Sequence, residues 1–263
     1  MEHTVISSFI SKLYYLSDTH LEHLDRPIQV HQTQPSSNED IALLGDIGWI
    51  QEESYWNFIR NIASMYRYVF IVLGNHECYY HEVHEIYDEF SKILHTHCLN
   101  NVYMMQNRAI EFKNCIVWGA TLWSKITVDA FYRLNDQNTI LDKSSQNGKL
   151  RMGTLFEEHN RSLTHLRKTM DMAISKKKPL VVLTHHAPLM EMNGKYTKSI
   201  TASGYASDLS NYFKSPILTW VCGHTHQNMF IEHNEIRCQA NCCGYPGEYL
   251  TVPYDPEVFI SIK

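Results

Sequence analysis

The sequence predicts an α/β protein in which short buried strands alternate with helices. Five apolar runs rich in Val, Ile, Leu and Tyr are short enough for strands and are bounded by polar turns. Between several of them, apolar residues recur at mixed three- and four-residue spacing, which is typical of amphipathic helices. Each of the five runs ends in Asp, Asn or His rather than in neutral loop residues. The alternation places the chain in the α/β class, and the polar ends indicate where its function lies.

The five strands follow one plan along the chain. They are KLYYLSD (12–18), IALLGD (41–46), YVFIVLGNHE (68–77), PLVVLTHHAP (179–188) and PILTWVCGHTH (216–226). Helices are predicted over residues 52–66, 83–97 and 153–178. One side of the last helix is predicted to carry Leu155, Leu163, Leu166, Met170 and Ile174.

The remaining segments are less regular. Strands over 101–112 and 115–122 are predicted to form a hairpin around Lys113 and Asn114. The last third has further strand-like stretches, NMFIEHN, IRCQAN and EVFISIK. Residues 127–151 are polar and weakly periodic, so we expect a long loop there, of the kind that is functional or mobile.

Length and composition set the general class of the protein. A chain of 263 residues and 30.8 kDa suits one domain spanning residues 1–263. A net charge of −5 and a pI near 6.3 indicate no basic face for nucleic acid, although a local basic groove stays possible. No membrane-length apolar run and no secretory signal stand out, and the seven cysteines are scattered. We therefore expect free thiols in a reducing, cytoplasmic setting. The oligomeric state is left open.

Chemistry-bearing side chains gather where the five strands end. In open α/β sheets, ligands bind outside the carboxyl ends of the strands. Carboxylate, amide and imidazole donors without thiolate suit Mn²⁺, Fe or Zn²⁺ rather than a sulfur-rich structural site. Seven or more donors exceed what one ion takes, which indicates two metals sharing a bridging carboxylate. The side chains are Asp18, His20, Asp46, Asn75, His76, His185, His186, His224 and His226.

These motifs also have simpler interpretations, as ordinary turns or as a structural zinc site. Each one taken singly is ordinary turn chemistry, and only their common order after five strands favours a site. A structural zinc knot could draw on Cys222, Cys238, Cys242 and Cys243 with the two histidines of GHTH, but no Cys-x₂-Cys pair occurs. The chain also lacks a His-Glu-x-x-His motif, a phosphate-binding P-loop and a nucleophile elbow.

The blocks SDTH, GD, GNHE, THHAP and GHTH resemble, in order, the five blocks of the calcineurin-like metallophosphoesterases. Outside them, LSDTHLEH, GATLW, LND, YASDLS and GYPGE resemble a branch of uncharacterised members of that family. The resemblance implies a four-layer α-β-β-α sandwich of two mixed sheets flanked by helices. It also implies phosphoester hydrolysis by a binuclear metal centre with a bridging hydroxide.

The resemblance also implies a role for individual residues. One metal would be bound by Asp18, His20, Asp46 and His226. The other would be bound by Asp46, Asn75, His185 and His224, with Asp46 bridging. His185 is preferred to His186 because the family's ligand directly follows the apolar strand. His224 and His226 are then expected to reach different metals.

His76 would lie close to the reacting phosphate without binding metal. Its imidazole can stabilise charge on the phosphoryl oxygens and protonate the leaving alkoxide, and Glu77 beside it would have a supporting role at most. Asn135, Asp136 and Tyr245 are candidate substrate contacts. The expected substrate is a small phosphodiester such as a nucleotide. The alternatives are a small phosphomonoester, a nucleic acid, and a non-catalytic scaffold with the same fold.

Two departures from the family pattern bear on the substrate. After Gly45 and Asp46 the chain continues Ile-Gly-Trp-Ile, without the second Asp and the Arg of protein Ser/Thr phosphatases, which argues against phosphoprotein. The branch would also be expected to have arginines within 137–139 and 242–243, where this chain has Gln-Asn-Thr and Cys-Cys. If those arginines bind phosphate, this chain has lost them.

Overall fold

The computed structural model describes residues 2–24, 30 and 38–263. Within them the strands are β1 (Glu2–Val5), β2 (Lys12–Leu16), β3 (Asp40–Leu44), β4 (Tyr68–Val72), β5 (Val102–Met104), β6 (Arg108–Glu111), β7 (Ile116–Ala120), β8 (Leu180–Thr184), β9 (Ile217–Cys222), β10 (Phe230–His233), β11 (Ile236–Ala240) and β12 (Phe259–Ser261). The helices are α1 (Glu53–Met65), α2 (Val83–Thr96), α3 (Val128–Phe131), α4 (Asp136–Thr139), α5 (Met152–Lys176) and α6 (Ala202–Tyr205). Short 3₁₀ helices cover Leu21–His23, His76–Cys78, Met190–Tyr196 and Ser210–Tyr212.

The strands form two mixed sheets. The smaller sheet has the order β12-β2-β3-β4-β5, with β2 to β5 parallel and β12 antiparallel at the edge. The larger sheet has the order β1-β6-β7-β8-β9-β11-β10, in which β7, β8, β9 and β11 run parallel. All five strands that carry the motifs therefore lie inside a sheet, three in the smaller and two in the larger.

Three hydrophobic clusters separate four layers. Leu13 and Tyr15 of β2 face a cluster shared with Val181 of β8 and Val221 of β9, so this cluster joins the two sheets. Because side chains alternate along a strand, the neighbouring residues of β2 face the opposite way. They pack in a second cluster with α1 and α2, and a third cluster joins the outer face of the larger sheet to α5. The predicted four-layer α-β-β-α sandwich is confirmed.

Burial on both faces explains why the motif strands are apolar throughout. Ile41, Leu43 and Leu44 of β3 are at most 1% exposed, although they point to opposite faces of the sheet. Parallel strands covered on both sides have this continuous pattern, whereas a half-exposed strand would alternate. The same constraint fixes where each strand ends, because the first polar residues must leave the packed layers.

Three predictions are corrected in detail. The strand predicted over 101–112 is two strands, because the chain crosses from β5 in the smaller sheet to β6 in the larger through a turn at Asn107, whose φ is 53°. The hairpin of β6 with β7 forms as predicted. Ile174 is 57% exposed rather than part of the buried side of α5, because it lies in the last turn of that helix. The loop expected over 127–151 contains α3 and α4.

No helix in the described ranges is both long enough and apolar enough to cross a membrane.

Candidate metal centre

The structure brings all seven predicted metal ligands together. They follow β2, β3 and β4 of the smaller sheet and β8 and β9 of the larger one, so they meet where the carboxyl ends of both sheets adjoin. The six residues Asp18, His20, Asp46, Asn75, His185 and His224 are at most 7% exposed, and the His226 side chain is 12% exposed. Buried polar groups at this density require partners, which they find in each other and in the surrounding loops.

The backbone at these strand ends is left-handed. The φ angles are 56° at Asp18, 46° at His20, 53° at Asp46, 67° at His224 and 50° at His226. Asp and His tolerate this region better than most residues, yet each such position still costs about 1–3 kcal/mol. The conformation turns each side chain out of the strand direction towards the common edge. Strain repeated at five ligand positions is typical of a functional site.

A buried carboxylate ties two of the loops together. The Glu77 side chain accepts hydrogen bonds from the backbone N–H groups of Asp46 (2.9 Å), Ile47 (2.8 Å) and Gly74 (2.7 Å). The His76 N–H donates to Asp46 Oδ1 at 2.9 Å. Glu77, for which the sequence indicated at most a supporting role, thus holds the turn after β3 against the turn after β4.

Potential ligand atoms of the described residues form five groups, and two of these contain six of the seven predicted ligands. In one group, potential ligand atoms of Asp18, His20 and His226 lie within 4.8 Å of one another. In the other, those of Asp18, Asp46, His185 and His224 do so, and Asn75 Oδ1 lies 3.0 Å from His185 Nε2. The structure therefore places His224 and His226 in different groups. Asp18 belongs to both groups, which the sequence did not predict, and Asp46 also lies close to His20.

The orientation of the imidazole rings fits bound cations. Nδ1 of His185 donates to Leu44 O (2.7 Å), and that of His226 to Glu248 Oε2 (2.6 Å). The Nε2 atoms then face the cluster, where those of His20 and His226 are only 3.2 Å apart. Two such nitrogens need a proton or a cation between them. His224 Nε2 is buried and has no hydrogen-bond partner among the described residues. Rings fixed through Nδ1 with Nε2 free are characteristic of metal-binding histidines.

The charges within the cluster favour the binding of cations. Burial alone would lower the pKa of His226, but the Asp18 carboxylate outweighs it and raises that pKa to about 10. Burial would likewise raise the pKa of Asp46, yet the neighbouring His185 and His76 hold it well below its usual range. The pKa of His224 is held well below its usual range by burial, then by the charges of nearby histidines, so this ring keeps a free lone pair. Cation binding would therefore displace protons from His226 and His185.

His76 lies beside the ligand groups and faces the pocket. Its Nδ1 is 2.9 Å from Glu22 Oε1, and its Nε2 is 3.2 Å from the hydroxyl of Tyr245. Burial would lower the pKa of His76, but the Asp46 charge and the Glu22 hydrogen bond raise it to about 9. Tyr245 in turn stacks on His20, with ring centroids 4.1 Å apart.

His186 has a different position from His185. It is 1% exposed, its Nδ1 lies 3.3 Å from the carbonyl oxygen of Thr121, and its ring packs against those of Trp123 and His224. His185 faces Asp46 at 3.4 Å, on the side of the carboxylates. His186 also shares a group of potential ligand atoms with His185 and His224, so the preference for His185 stays a prediction.

A cavity of about 490 Å³ opens above the cluster. Its walls include His76, Tyr245, Asn135 and Asp136, so the three candidate substrate contacts all line it. Asp136 is buried, however, and its Oδ1 accepts hydrogen bonds from Asn75 Nδ2 (2.9 Å) and the Tyr79 hydroxyl (3.0 Å). It therefore orients the amide of Asn75 as well as lining the pocket.

Sequence reasoning missed three residues at the site. Glu22 and Glu248 fix His76 and His226, and both lie in segments, LSDTHLEH and GYPGE, that had been singled out only for resemblance. Arg133 is the one Arg or Lys among the described residues that line the cavity, and its guanidinium has no ion-pair partner there. It lies before the segment 137–139 where an arginine was expected, so no motif pointed to it.

The cysteines do not take part in this centre. Among the described residues, none of the side-chain groups with metal-binding geometry includes a cysteine. All seven cysteines are free thiols, and those proposed for a zinc knot pack in or beside the core under Asp18.

Two groups of buried histidines linked by a carboxylate, at the edge of paired sheets, are consistent with a binuclear metal site. The sequence profile described as calcineurin-like phosphoesterase matches residues 11–228. The chain belongs to the calcineurin-like phosphoesterase family.

Similar proteins span almost the whole chain. "Uncharacterized protein L509" of Acanthamoeba polyphaga mimivirus is 30% identical over 273 residues, covering 95% of this chain and 96% of the relative. The crystal structure of phosphopantetheinyl hydrolase (PptH) from Mycobacterium tuberculosis matches with a TM-score of 0.72 and 14% identity over 92% of each chain. A putative 5′-nucleotidase from Staphylococcus aureus, in complex with alpha-ketoglutarate, matches with a TM-score of 0.45 and 14% identity over 89% of this chain and 48% of its own. The PptH match shows a common fold.

Gly74→Ala is expected to weaken metal binding. A Cβ at this position would lie 2.1 Å from Asp46 Oδ1 and 2.6 Å from its backbone nitrogen, so the carboxylate must move. We expect Zn²⁺ affinity, measured by titration calorimetry, to fall about 10- to 100-fold, as when groups that orient ligands are disturbed. Gly153→Ala is the matched control, because a Cβ there meets nothing within 4 Å. Equal affinity in the two variants would contradict the argument.

Proposed function

We propose that this protein hydrolyses small phosphodiesters, with a nucleotide as the first candidate, at a centre of two divalent or transition-metal cations. The observation that carries the proposal is the pair of buried donor groups that share Asp18, with Asp46 in one group and close to His20 of the other. They lie below a cavity that His76 also lines. A non-catalytic scaffold of this fold would not need a complete donor set together with an oriented histidine.

In this proposal the chain holds each cation with four side chains. One cation is assigned to Asp18, His20, Asp46 and His226, and the other to Asp46, Asn75, His185 and His224. Oxygen and imidazole donors fit manganese, iron or zinc. When bound, the two cations would supply Lewis acidity that activates water and neutralises charge on the phosphoryl oxygens.

His76 is the proposed proton donor to the leaving group. Its Nε2 faces the cavity, where it meets the Tyr245 hydroxyl at 3.2 Å. As the phosphorus–oxygen bond to the leaving group breaks, the electron pair stays on that oxygen and the Nε2 proton forms the new O–H bond. Water supplies the oxygen that replaces it on phosphorus and releases a proton to solvent. The products are a phosphomonoester and an alcohol.

The walls of the cavity support a diester rather than a monoester. Arg133 is the single Arg or Lys of the described lining, and the acidic Asp136 and Glu248 lie in the same wall. A diester carries one negative charge, whereas a monoester approaches two at neutral pH and needs more cationic partners. Tyr79 and Tyr245 border the reacting end, and Tyr196 and Tyr205 stand in the lining beyond it. Aromatic faces of this kind suit a nucleobase.

The cellular compartment and the size of the substrate are proposed from the cysteines and the charges of the chain. Seven free thiols support a reducing, cytoplasmic environment. The net charge of −5 and the single cation of the cavity wall favour a small substrate over a nucleic acid. We take residues 1–263 to act as one catalytic domain.

Reconstitution of metal-free protein tests the proposal. Separate samples would receive Mn²⁺, Fe²⁺, Zn²⁺ or Ni²⁺ and be assayed on bis(4-nitrophenyl) phosphate and on 4-nitrophenyl phosphate. We expect metal-dependent turnover with a preference for the diester. A preference for the monoester would make the protein a phosphomonoesterase. Turnover with no metal on either ester would make it a scaffold, and salt-dependent cleavage of DNA or RNA in its place would make it a nuclease.

Asp46→Asn is expected to lose metal from both positions, because in the proposed assignment the Asp46 carboxylate binds both cations. Elemental analysis should show bound metal falling from about two ions per chain to less than one. Asp208→Asn, at an exposed carboxylate away from the site, is the control and should retain both. Unchanged metal content in Asp46→Asn would refute the bridging role.

His76→Ala is expected to retain both metals and lose most turnover. In the proposed assignment His76 faces the cavity and binds neither cation, so its removal takes away a proton donor and leaves all seven assigned ligands in place. General acid catalysis contributes about 10²- to 10⁴-fold, and kcat on an alkyl diester should fall by that amount. Full activity in a metal-replete variant would rule out the assignment.

A further inference from the structure

Glu22 lies between two of the histidines of the site. Its Oε1 is 2.9 Å from His76 Nδ1 and 3.2 Å from His20 Nδ1, and its side chain is 1% exposed. Its other oxygen, Oε2, is buried without a hydrogen-bond partner among the described residues. Burying a carboxylate costs desolvation free energy unless charged or hydrogen-bonding groups offset it. The imidazoles of His76 and His20 do so for Glu22.

Local backbone geometry brings Glu22 to this position. His20 has a left-handed backbone, with φ at 46°, and the 3₁₀ helix Leu21–His23 starts directly after it. The helix passes close to the turn after β3, where a Cβ on Gly48 would lie 3.0 Å from Leu21 Cβ and 3.5 Å from Glu22 Oε2. A residue without a side chain at position 48 therefore lets Leu21, and with it the helix that carries Glu22, pack closely against this turn.

Apart from Asp46, the turn after β3 contains no acidic residue that could contact His76. After Asp46 it continues with Ile47, Gly48, Trp49 and Ile50, as the sequence showed. Asp46 Oδ2 is 3.9 Å from His76 Nε2, on the other side of the ring from Nδ1. Among the described residues, the acidic side chain that reaches His76 Nδ1 is Glu22, which comes from the β2 end.

We infer that Glu22 is the positioning residue for His76 in phosphodiester hydrolysis. Its carboxylate accepts the Nδ1–H of His76, which fixes the ring and directs Nε2 with its proton into the cavity. The inference rests on the function proposed above. It gives Glu22 the part that a buried carboxylate has beside a catalytic histidine, where it sets the tautomer and orientation without touching substrate.

The proton balance is that of the proposed reaction. The Nε2 proton passes to the departing oxygen as the phosphorus–oxygen bond breaks, and the ring keeps its Nδ1 proton. That proton stays hydrogen-bonded to Glu22 throughout. Glu22 therefore neither gains nor loses a proton, and its effect is confined to substrates whose leaving group needs one.

Leaving-group dependence separates this role from others. The matched substrates are the 4-nitrophenyl and methyl esters of thymidine 5′-phosphate, since 4-nitrophenolate departs without a proton and methoxide does not. Glu22→Ala should lower kcat about 10- to 100-fold on the methyl ester and less than about threefold on the nitrophenyl ester, with KM and metal content kept. Glu22→Gln, which retains an acceptor oxygen, should recover most of the loss.

Double variants and a control sharpen the result. If the two residues act as a unit, Glu22→Ala with His76→Ala should be no slower than His76→Ala alone. His23→Ala removes the exposed ring 3.8 Å from Glu22 and should leave both activities unchanged. If Glu22 acts through His20 instead, Glu22→Ala loses metal and slows both esters equally, which overturns the inference.

A spectroscopic readout makes the test independent of turnover. In the Zn²⁺-loaded protein, the Nδ1–H of His76 should give a slowly exchanging downfield proton resonance, assigned by its loss in His76→Ala. The resonance should vanish in Glu22→Ala and survive in His23→Ala. Its persistence in Glu22→Ala would refute the inference. If wild-type protein hydrolyses neither ester, the proposed function fails, while the resonance still decides whether Glu22 positions His76.

Discussion

The site depends on one buried carboxylate, that of Glu77, which receives three backbone hydrogen bonds from two different turns. These bonds fix the turn carrying Asp46 against the turn carrying Asn75 and His76. Burial, then the charge of Asp46, raises the pKa of Glu77 to about 7, so the site holds two acids in close proximity. Two buried acids can lie this close only when each has stabilising partners. Backbone N–H groups donate to Glu77, and the imidazoles of His185 and His76 stabilise Asp46. The position of every other ligand is set relative to Asp46.

A second layer of acceptors orients the imidazoles around that anchor. Glu248 fixes His226 and Glu22 contacts His20 and His76, while a strand carbonyl fixes His185. Each contact is made at Nδ1, so each Nε2 faces the cluster or the cavity. The left-handed turns at the strand ends aim the side chains, and the acceptors then hold the rings. Together these contacts offset the strain of five unfavourable backbone positions.

Residues of the metal centre line one side of the cavity, and much of the remaining wall comes from other parts of the chain. Residues 133–136 lie between α3 and the first residue of α4, and residues 193–205 come from the connection that follows β8. The centre lies on sheet ends that are fixed by packing on both faces. The wall lies on loops, where side chains change without disturbing the core. Under the proposed function, the sheet ends would set the reaction type and the loops, which carry Arg133, would select the substrate.

The sequence by itself determined the α/β class and the strands that carry the motifs, because continuous apolar runs and polar strand ends are local patterns. The family resemblance predicted which seven side chains at those ends bind metal, and the structure brings all seven together. It did not determine that residues 101–112 divide between two sheets, since the same apolar pattern suits either one. Nor did it reveal the partners of the histidines. Glu22 lies 54 residues from His76 and Glu248 lies 22 residues from His226. Only the packing of two sheets with their loops brings these pairs within hydrogen-bonding distance and Arg133 into the same cavity.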